Sequence, residues 1–596
     1  MSDVIASNTY AQKSWDLTEL LPDATEETIS ARLAEMESLV RSIEAFRIPL
    51  QEEPSGKLLL EVVEAYERLS ERSYSTSAYG ALWFSEDTQS EAALTYKNRL
   101  DRALVDFHNR TLFFTLWWKG LDDQAALEFL PTRPEHADFR HFLEDLRRSK
   151  PFMLEERSEQ IVNLKDTNGI SAVLTIYSML TNRLEFELEV DGETKTLTRD
   201  ELLTYVYAPS AEVRAAAYRE MLRVFEDEAK VLSQIYVSRA LDWHAENVTL
   251  RGFPSAISVR NMDNDMPDQV IEVLLDTCAR NAPLFQRYFR WKAQELGRTR
   301  LSRFDLYAPL AGADKSVPYS EAVELVLSTF EGFEPRLAAL ARRVFDQDHI
   351  DSEVRTGKKG GAFCATVLPK QTPWLLLNYN GKVRDVATLA HELGHAVHSM
   401  LAQDHSVLTQ QPSLPLAETA SVFAERLLVD RLLASETDRV VRRELLASSL
   451  DDIYATVMRQ ACFVRFEERA HAAILEGKPP EALNEIYLGL LKEHFGEAVE
   501  VPEEFSREWI SIPHIYHTPF YCYAYSFGQL LVLALYRRYR EEGQAFVPGY
   551  LRLLAWGGGA RPAEILDEAG VDLNDPSFWQ GGFDVVEDLV AELEAL

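Results

Sequence analysis

Apolar positions recur every three to four residues over most of the chain, the interval that lines one face of a helix. Ile29, Leu33, Met36, Val40 and Ile43 set this rhythm over 23–46, where Asp23 and Glu26 read as a capping-box-like start. The same spacing predicts helices near 57–73 and 89–119, the second carrying Trp117 and Trp118 as core or lobe contacts, and over the charged stretch 131–165. It returns as long helical regions over 210–250, 267–297, 414–433 and 438–476, the last ending at Gly477-Lys478-Pro479-Pro480. Two stretches break the rhythm. Leu184, Phe186, Leu188 and Val190 alternate with Glu185, Glu187 and Glu189, and Asp191-Gly192 then precedes Thr194–Thr198, which predicts a β-hairpin and a lobe boundary near 200. Residues 361–379 hold two short apolar runs, GAFCAT and WLLLNY, followed by an Asn380-Gly381 turn. They read as a pair of strands that packs structurally on the next helix, or offers a backbone edge to an extended peptide, or both. No repeat, linker or low-complexity segment stands out.

The pattern predicts a mainly α protein with small β elements near 184–198 and 361–379. With 596 residues the chain exceeds what one hydrophobic core supports, so two or three lobes are expected. The balance of 95 acidic against 62 basic residues, a net charge of −33, argues against nucleic acid or an anionic membrane as partner. Cys278, Cys364, Cys462 and Cys522 are scattered and form no C-x-x-C pair, so no disulfide framework is expected. The first residues, MSDVIASNTYAQ, lack a basic region followed by an apolar one, and no signal peptide is read there. The best membrane candidate, Phe520–Tyr536, is short, tyrosine-rich and interrupted by Gly528 and Gln529, and reads as a buried core helix. The expected location is the cytoplasm.

The chemistry concentrates in Asp385–Leu401, DVATLAHELGHAVHSML. Asp385 reads as an N-cap, and no proline interrupts the sixteen residues after it. His391 and His395, four apart, face one way from a helix, with Glu392 beside them. Two imidazoles and an adjacent carboxylate suit one Zn²⁺ and an activated water, with Glu392 as general base. A hydrogen-bonded core pair of histidines is the plain alternative. A zinc of this kind takes a third protein ligand, and Glu418, 23 residues beyond His395 on the next predicted helix, suits that role. Glu425, two turns further, reads as a carboxylate supporting a ligand histidine or as a solvated glutamate. His398 reads as a supporting or a core histidine. In the aromatic stretch 514–525, His514, Tyr516, His517, Tyr521, Tyr523 and Tyr525 read as oxyanion donors or as aromatic core, with core the reading for Tyr516 and Tyr523.

The chain resembles the M3 family of zinc metallopeptidases, and most closely its oligoendopeptidase F branch. The resemblance rests on KKGGAFC at 358–364, NYNGKVRDVATLAHELGHAVHSMLA at 378–402, LAETAS at 416–421 and IPHIYHTPFYCYAY at 512–525. WDLTELLP near the start and DLYAPL at 305–310 also fit, so the likeness spans nearly the whole chain. It implies a mostly helical ellipsoid with a deep channel and a thermolysin-like zinc core. By this resemblance residues 1–115 form an N-terminal helical lobe, 116–200 a helical segment with the hairpin, and 201–596 the catalytic region. It further implies hydrolysis of internal bonds in short unfolded peptides, with zinc on His391, His395 and Glu418. His514, with Tyr521 and Tyr525, is then implied to stabilise the oxyanion; His517 competes with His514, which has the I-P-H-x-Y context usual for the branch. Gly360, Gly361 and Ala362 would pair with the substrate backbone, where glycine permits close approach. Two other functions fit the same residues: a helical zinc carboxypeptidase, and an inactive peptide-binding scaffold, against which the retained Glu392 argues.

Overall fold

The structure, a computed structural model, describes residues 10–310 and 316–596. Helices dominate, and the strands are few and short. The chain divides into two compact units, each assembled from three segments. One comprises Met1–Lys150, Asp314–Ala434 and Arg538–Val571; the other comprises Pro151–Ala313, Ser435–Arg537 and Asp572–Leu596.

In the first unit the helices Glu26–Glu44, Gly56–Glu86 and Glu91–Gly120 pack on one another through the apolar faces read from the sequence. Met36, Val40 and Ile43 are fully buried, and so is Trp118, whose indole N–H donates to the Leu143 carbonyl at 2.8 Å. The opening helix is capped by Thr25, whose hydroxyl accepts from the Thr28 N–H. Asp23 instead braces the turn before it, accepting from the Thr25 N–H and from both threonine hydroxyls. The two strands expected within 361–379 are present as Phe363–Ala365 and Trp374–Leu376. They pair antiparallel with Cys364 opposite Leu375, and Ile350–Asp351 adds in parallel on the far side of Trp374–Leu376. The order of this three-stranded sheet leaves Phe363–Ala365 at an edge. Trp374 and Leu376 bury their side chains among Trp15, Leu20, Tyr79 and Leu100, so the edge strand is held against the N-terminal helices.

The helix Val383–Leu401 follows the Asn380-Gly381 turn and buries one side almost completely, from Val386 and Leu389 to Met400 and Leu401. Its cap differs from the expectation. Lys382 is the N-cap, and Asp385 lies one turn inside the helix. The Asp385 carboxylate still reaches back and accepts from the N–H groups of Asn380 and Lys382, at 2.8 and 3.0 Å. Asp385 therefore closes the helix start from inside, as the third residue of a capping box does.

In the second unit the expected hairpin is Phe186–Val190 against Glu193–Leu197, turning at Asp191 and Gly192, both with positive φ. The region 438–476 is one helical run, Arg439–Leu475, with a π-helical turn at Tyr454–Met458. Phe520–Tyr536 yields the helix Tyr523–Glu542, largely buried from Tyr523 to Tyr536. No helix among the described residues is long and apolar enough to cross a membrane. At the centre of this unit Arg303 donates to Glu508 at 2.7 Å with both side chains buried, and Tyr487 donates to the other Glu508 oxygen. The remaining acceptor capacity of the buried charge is thus used, as a buried pair requires.

Candidate metal centre and active site

His391 and His395 sit one turn apart on Val383–Leu401, and their Nε2 atoms are 3.1 Å apart. Glu418 Oε2 lies 3.4 Å from each. Among the described residues these three form the one group whose donor atoms converge as metal ligands would. Donors bonded at about 2.0–2.1 Å to a tetrahedral zinc are about 3.3–3.4 Å apart, so the triangle matches one face of that tetrahedron. The residues fit the metal that the sequence implies.

Glu418 reaches the histidines from a turn, not from a helix as the spacing predicts. A short helix, Leu414–Ala417, ends at Glu418, and the next begins at Ser421. The turn is fixed on both sides. The Ser421 hydroxyl donates to Glu418 Oε2 at 2.6 Å, the same oxygen that faces the imidazoles. Behind it, Gly394 packs so closely that an added Cβ would sit 2.6 Å from Ser421 Cα and 2.8 Å from the Ala420 carbonyl oxygen. The connector from Ala402 to Ser413 is clamped as well. Its Thr409 carbonyl accepts from the Gly558 N–H, and His405 bonds to Asp138 at 2.8 Å.

The outer contacts set the tautomers. His391 Nδ1 donates to the Glu425 carboxylate, leaving Nε2 with its lone pair toward the triangle. Burial opposes a charge on His391, but the Glu425 hydrogen bond and the charges of Glu425, Glu418 and Glu392 outweigh it and raise its pKa to about 9. Without a metal the three carboxylates thus favour a positive charge in this spot. His395 is shifted down by burial, with the Ala417 carbonyl and Glu418 opposing. His398 does not enter the triangle. It is buried beside the same Ala417 carbonyl, and burial pushes its pKa down to about 4, so it stays neutral.

Glu392 is 6% exposed, and its Oε2 has no hydrogen-bond partner. Burial, with the charges of Glu418 and Glu425, raises its pKa to about 7 against the pull of His391. A buried carboxylate with one free oxygen beside a metal triangle is placed to handle a proton. Cys364 on the edge strand is close enough for its thiol to be raised by the Glu392 charge as well as by burial.

Gly360, Gly361 and Ala362 lead into that edge strand. Asn378 Nδ2 donates to the carbonyls of Lys359 and Gly361, at 3.0 and 2.9 Å, and Gly361 adopts φ +78°. Lys358 anchors the segment. Its side chain is fully buried, and its ammonium donates to Asp351 Oδ1, at 2.7 Å, and to the carbonyls of Asp351, Glu353 and Leu377. Sequence reasoning alone misses Lys358, Asn378, Gly394 and Ser421. A lysine before two glycines gives a signal for the first, since a charge beside a segment lacking side chains has only backbone to hold. Lys358→Met strands most of these acceptors, while Arg355 still neutralises Asp351 at 2.7 Å. Breaking a buried pair from one side costs about 3–5 kcal/mol, and the retained arginine sets the expectation at about 3. A lowered thermal midpoint checks it; an unchanged midpoint would show that the anchor is dispensable.

His514, Tyr521 and Tyr525 lie in the second unit and form a cluster of their own, each partly exposed. The Tyr525 hydroxyl is 3.4 Å from His514 Nε2, and the His514 and Tyr521 rings stack at 6.0 Å. His517 is outside this cluster, exposed and edge-on to Tyr177. Tyr516 is buried and stacks on Tyr177, and Tyr523 is buried with its hydroxyl accepting from Asn264 at 2.8 Å.

The sequence profile of peptidase family M3 matches residues 204–585, and that of oligopeptidase F matches 117–186. The chain belongs to peptidase family M3. Within that family it is a metalloendopeptidase. Oligopeptidase PepF of Bacillus subtilis is 24% identical over 99% of this chain and 88% of its own length. A Chlamydophila abortus protein described as a peptidase superposes with a TM-score of 0.86 at 23% identity, over 98% of each chain. Oligoendopeptidase F of Enterococcus faecium gives a TM-score of 0.72 at 23% identity, over 96% of this chain and 99% of that one. These likenesses carry the mainly α fold of this M3 member across both units.

Proposed function

We propose that this M3 peptidase is a zinc-dependent endopeptidase that cleaves internal bonds of short unfolded peptides. The observation that carries the reading is the donor triangle of His391, His395 and Glu418, with the free oxygen of Glu392 beside it. Bound there, zinc supplies a Lewis acid that lowers the pKa of water and polarises the scissile carbonyl. Glu425 holds His391 in the tautomer that presents Nε2, and Ser421 orients the Glu418 carboxylate. Glu392 takes the proton of the attacking water and delivers it to the leaving amine. The edge strand Phe363–Ala365, with Gly360, Gly361 and Ala362 before it, pairs with the extended substrate backbone. The family resemblance supports His514, Tyr521 and Tyr525 as oxyanion donors. Short peptides as substrates are supported by the relatives' names, which describe oligopeptidases. Cysteines that are all unpaired fit a reducing, cytoplasmic setting.

Metal removal tests the reading. Treatment with a chelator should stop peptide cleavage, and zinc should restore it. Glu418→Ala should weaken zinc binding by more than the about 10–100-fold that loss of an orienting partner produces. Full zinc occupancy in Glu418→Ala at wild-type affinity would remove that residue from the centre.

A further inference from the structure

An open cavity of about 340 Å³ lies in the first unit between the Gly361-Ala362 segment and the start of Val383–Leu401, where Arg384, Asp385 and Thr388 face it. Arg384 is exposed and makes no ion pair or side-chain hydrogen bond with any described residue. Its neighbour Asp385 does not serve as its partner, because that carboxylate is held by the Asn380 and Lys382 N–H groups. Lys359, which lies over the Phe363 ring, likewise lacks an ion pair among the described residues. At the entrance to the edge strand Arg384 and Lys359 thus leave their cationic groups without a direct ion pair, while the Asp385 carboxylate lines the same cavity.

The direction of the substrate follows from strand polarity. The edge strand runs from Ala362, at the cavity, to Ala365, and packs on the helix Val383–Leu401 that carries Glu392. A peptide pairing antiparallel, the commoner arrangement, runs from Glu392 toward the cavity. The residues C-terminal to the cleaved bond therefore enter it. Arg384 precedes His391 by seven positions, about 10 Å along the helix. That length spans about three residues of extended peptide.

We infer that Arg384 binds a substrate carboxylate about three residues beyond the cleaved bond, on its C-terminal side. The inference rests on the endopeptidase reading and adds a substrate class to it: peptides with a free C-terminus, or an acidic side chain, at that distance. The guanidinium engages such a carboxylate by paired N–H···O bonds. In an enzyme with this net charge, an acidic group placed elsewhere on the substrate is disfavoured, so the subsite also fixes register.

The experiment uses the zinc-loaded full chain and four matched peptides, each cut at one internal bond. One ends three residues past the bond in a free carboxylate. The second ends there in a carboxamide. The third and fourth are extended beyond that point, are amidated, and carry Glu and Gln, respectively, at the third position. Wild type should prefer the carboxylate form by about tenfold in kcat/KM, mainly through KM. Arg384→Gln should bring the carboxylate-to-carboxamide ratio close to one, and Arg384→Lys should restore part of it. Preference for the free C-terminus, for Glu over Gln, or for both tells which carboxylate is used. An Arg384→Gln protein that discriminates as well as wild type, or a wild type with no preference, overturns the subsite and leaves the endopeptidase reading standing. Failure of the wild type to cut any of the peptides overturns that reading, and the subsite with it.

Discussion

Glu392→Gln should abolish turnover while leaving metal content and fold intact. Glutamine keeps the shape of the side chain but cannot accept the water's proton. Loss of a positioned general base lowers rates by about 10²–10⁴-fold. The metal stays because Glu392 is not part of the donor triangle. The fold stays because the side chain is buried with Oε2 unpartnered, so the substitution breaks no hydrogen bond at that atom. Stability offers an independent sign. In the metal-free protein the Glu392 pKa is raised to about 7, so folding favours its protonated form. The ionised carboxylate then destabilises the fold increasingly as pH rises from its unfolded value toward 7, and fully above it. The amide carries no charge, so the metal-free variant should melt no lower than metal-free wild type at pH 8. Zinc analysis, thermal melting and peptide turnover on one preparation check all three parts. A variant cleaving at near the wild-type rate would sink the assignment of the base.

Gly394→Ala should be nearly as damaging, although Gly394 bears no chemistry. On an open helix face this change stabilises by about 1 kcal/mol. Here the new Cβ meets Ser421 Cα at 2.6 Å, Ser421 N at 2.9 Å and the Ala420 carbonyl oxygen at 2.8 Å. These are backbone atoms and cannot swing aside. The helix and the Glu418 turn must separate, which loosens both the Ser421–Glu418 hydrogen bond and the donor triangle. Overpacking of this kind costs about 1–3 kcal/mol, more than the propensity gain, so the net change is destabilising. Displacing a catalytic group by about 1 Å lowers rates by about 100-fold. Zinc titration and kcat/KM on Gly394→Ala read the effect. Wild-type affinity and rate would show that the helix and turn tolerate separation.

What the sequence disclosed about the fold was local. The hairpin at 186–197 announced itself through alternation and an Asp-Gly turn, and the helix at 383–401 through uninterrupted apolar periodicity. The two strands before that helix were legible because Gly, Pro and Asn-Gly bracket short apolar runs. The errors were also local ones. Asp385 signals a helix start equally well as cap or as third residue, and only the backbone decides which. Glu418 and Glu425 stand seven apart, which mimics two turns of one helix, but the chain breaks at 418–420 and starts a new helix at Ser421. The rest was hidden because it depends on long-range approach. The smallness of Gly394 matters only because the Ala420–Ser421 backbone comes to it. The burial of Lys358 depends on Asp351, seven residues away, and on a carbonyl from the next strand. Arg384 looks like one exposed cation among many until its lack of a partner and its place at the strand edge are seen together.

The central claim is metal-assisted cleavage of internal peptide bonds with Glu392 as base. The most direct test is mass spectrometry of a mixed-length peptide pool incubated with the zinc-loaded protein, with Glu392→Gln run alongside. Internal cuts confined to short peptides, and absent with the variant, are the predicted result. Stepwise loss of single C-terminal residues, or no cleavage by zinc-loaded wild type, would contradict the account.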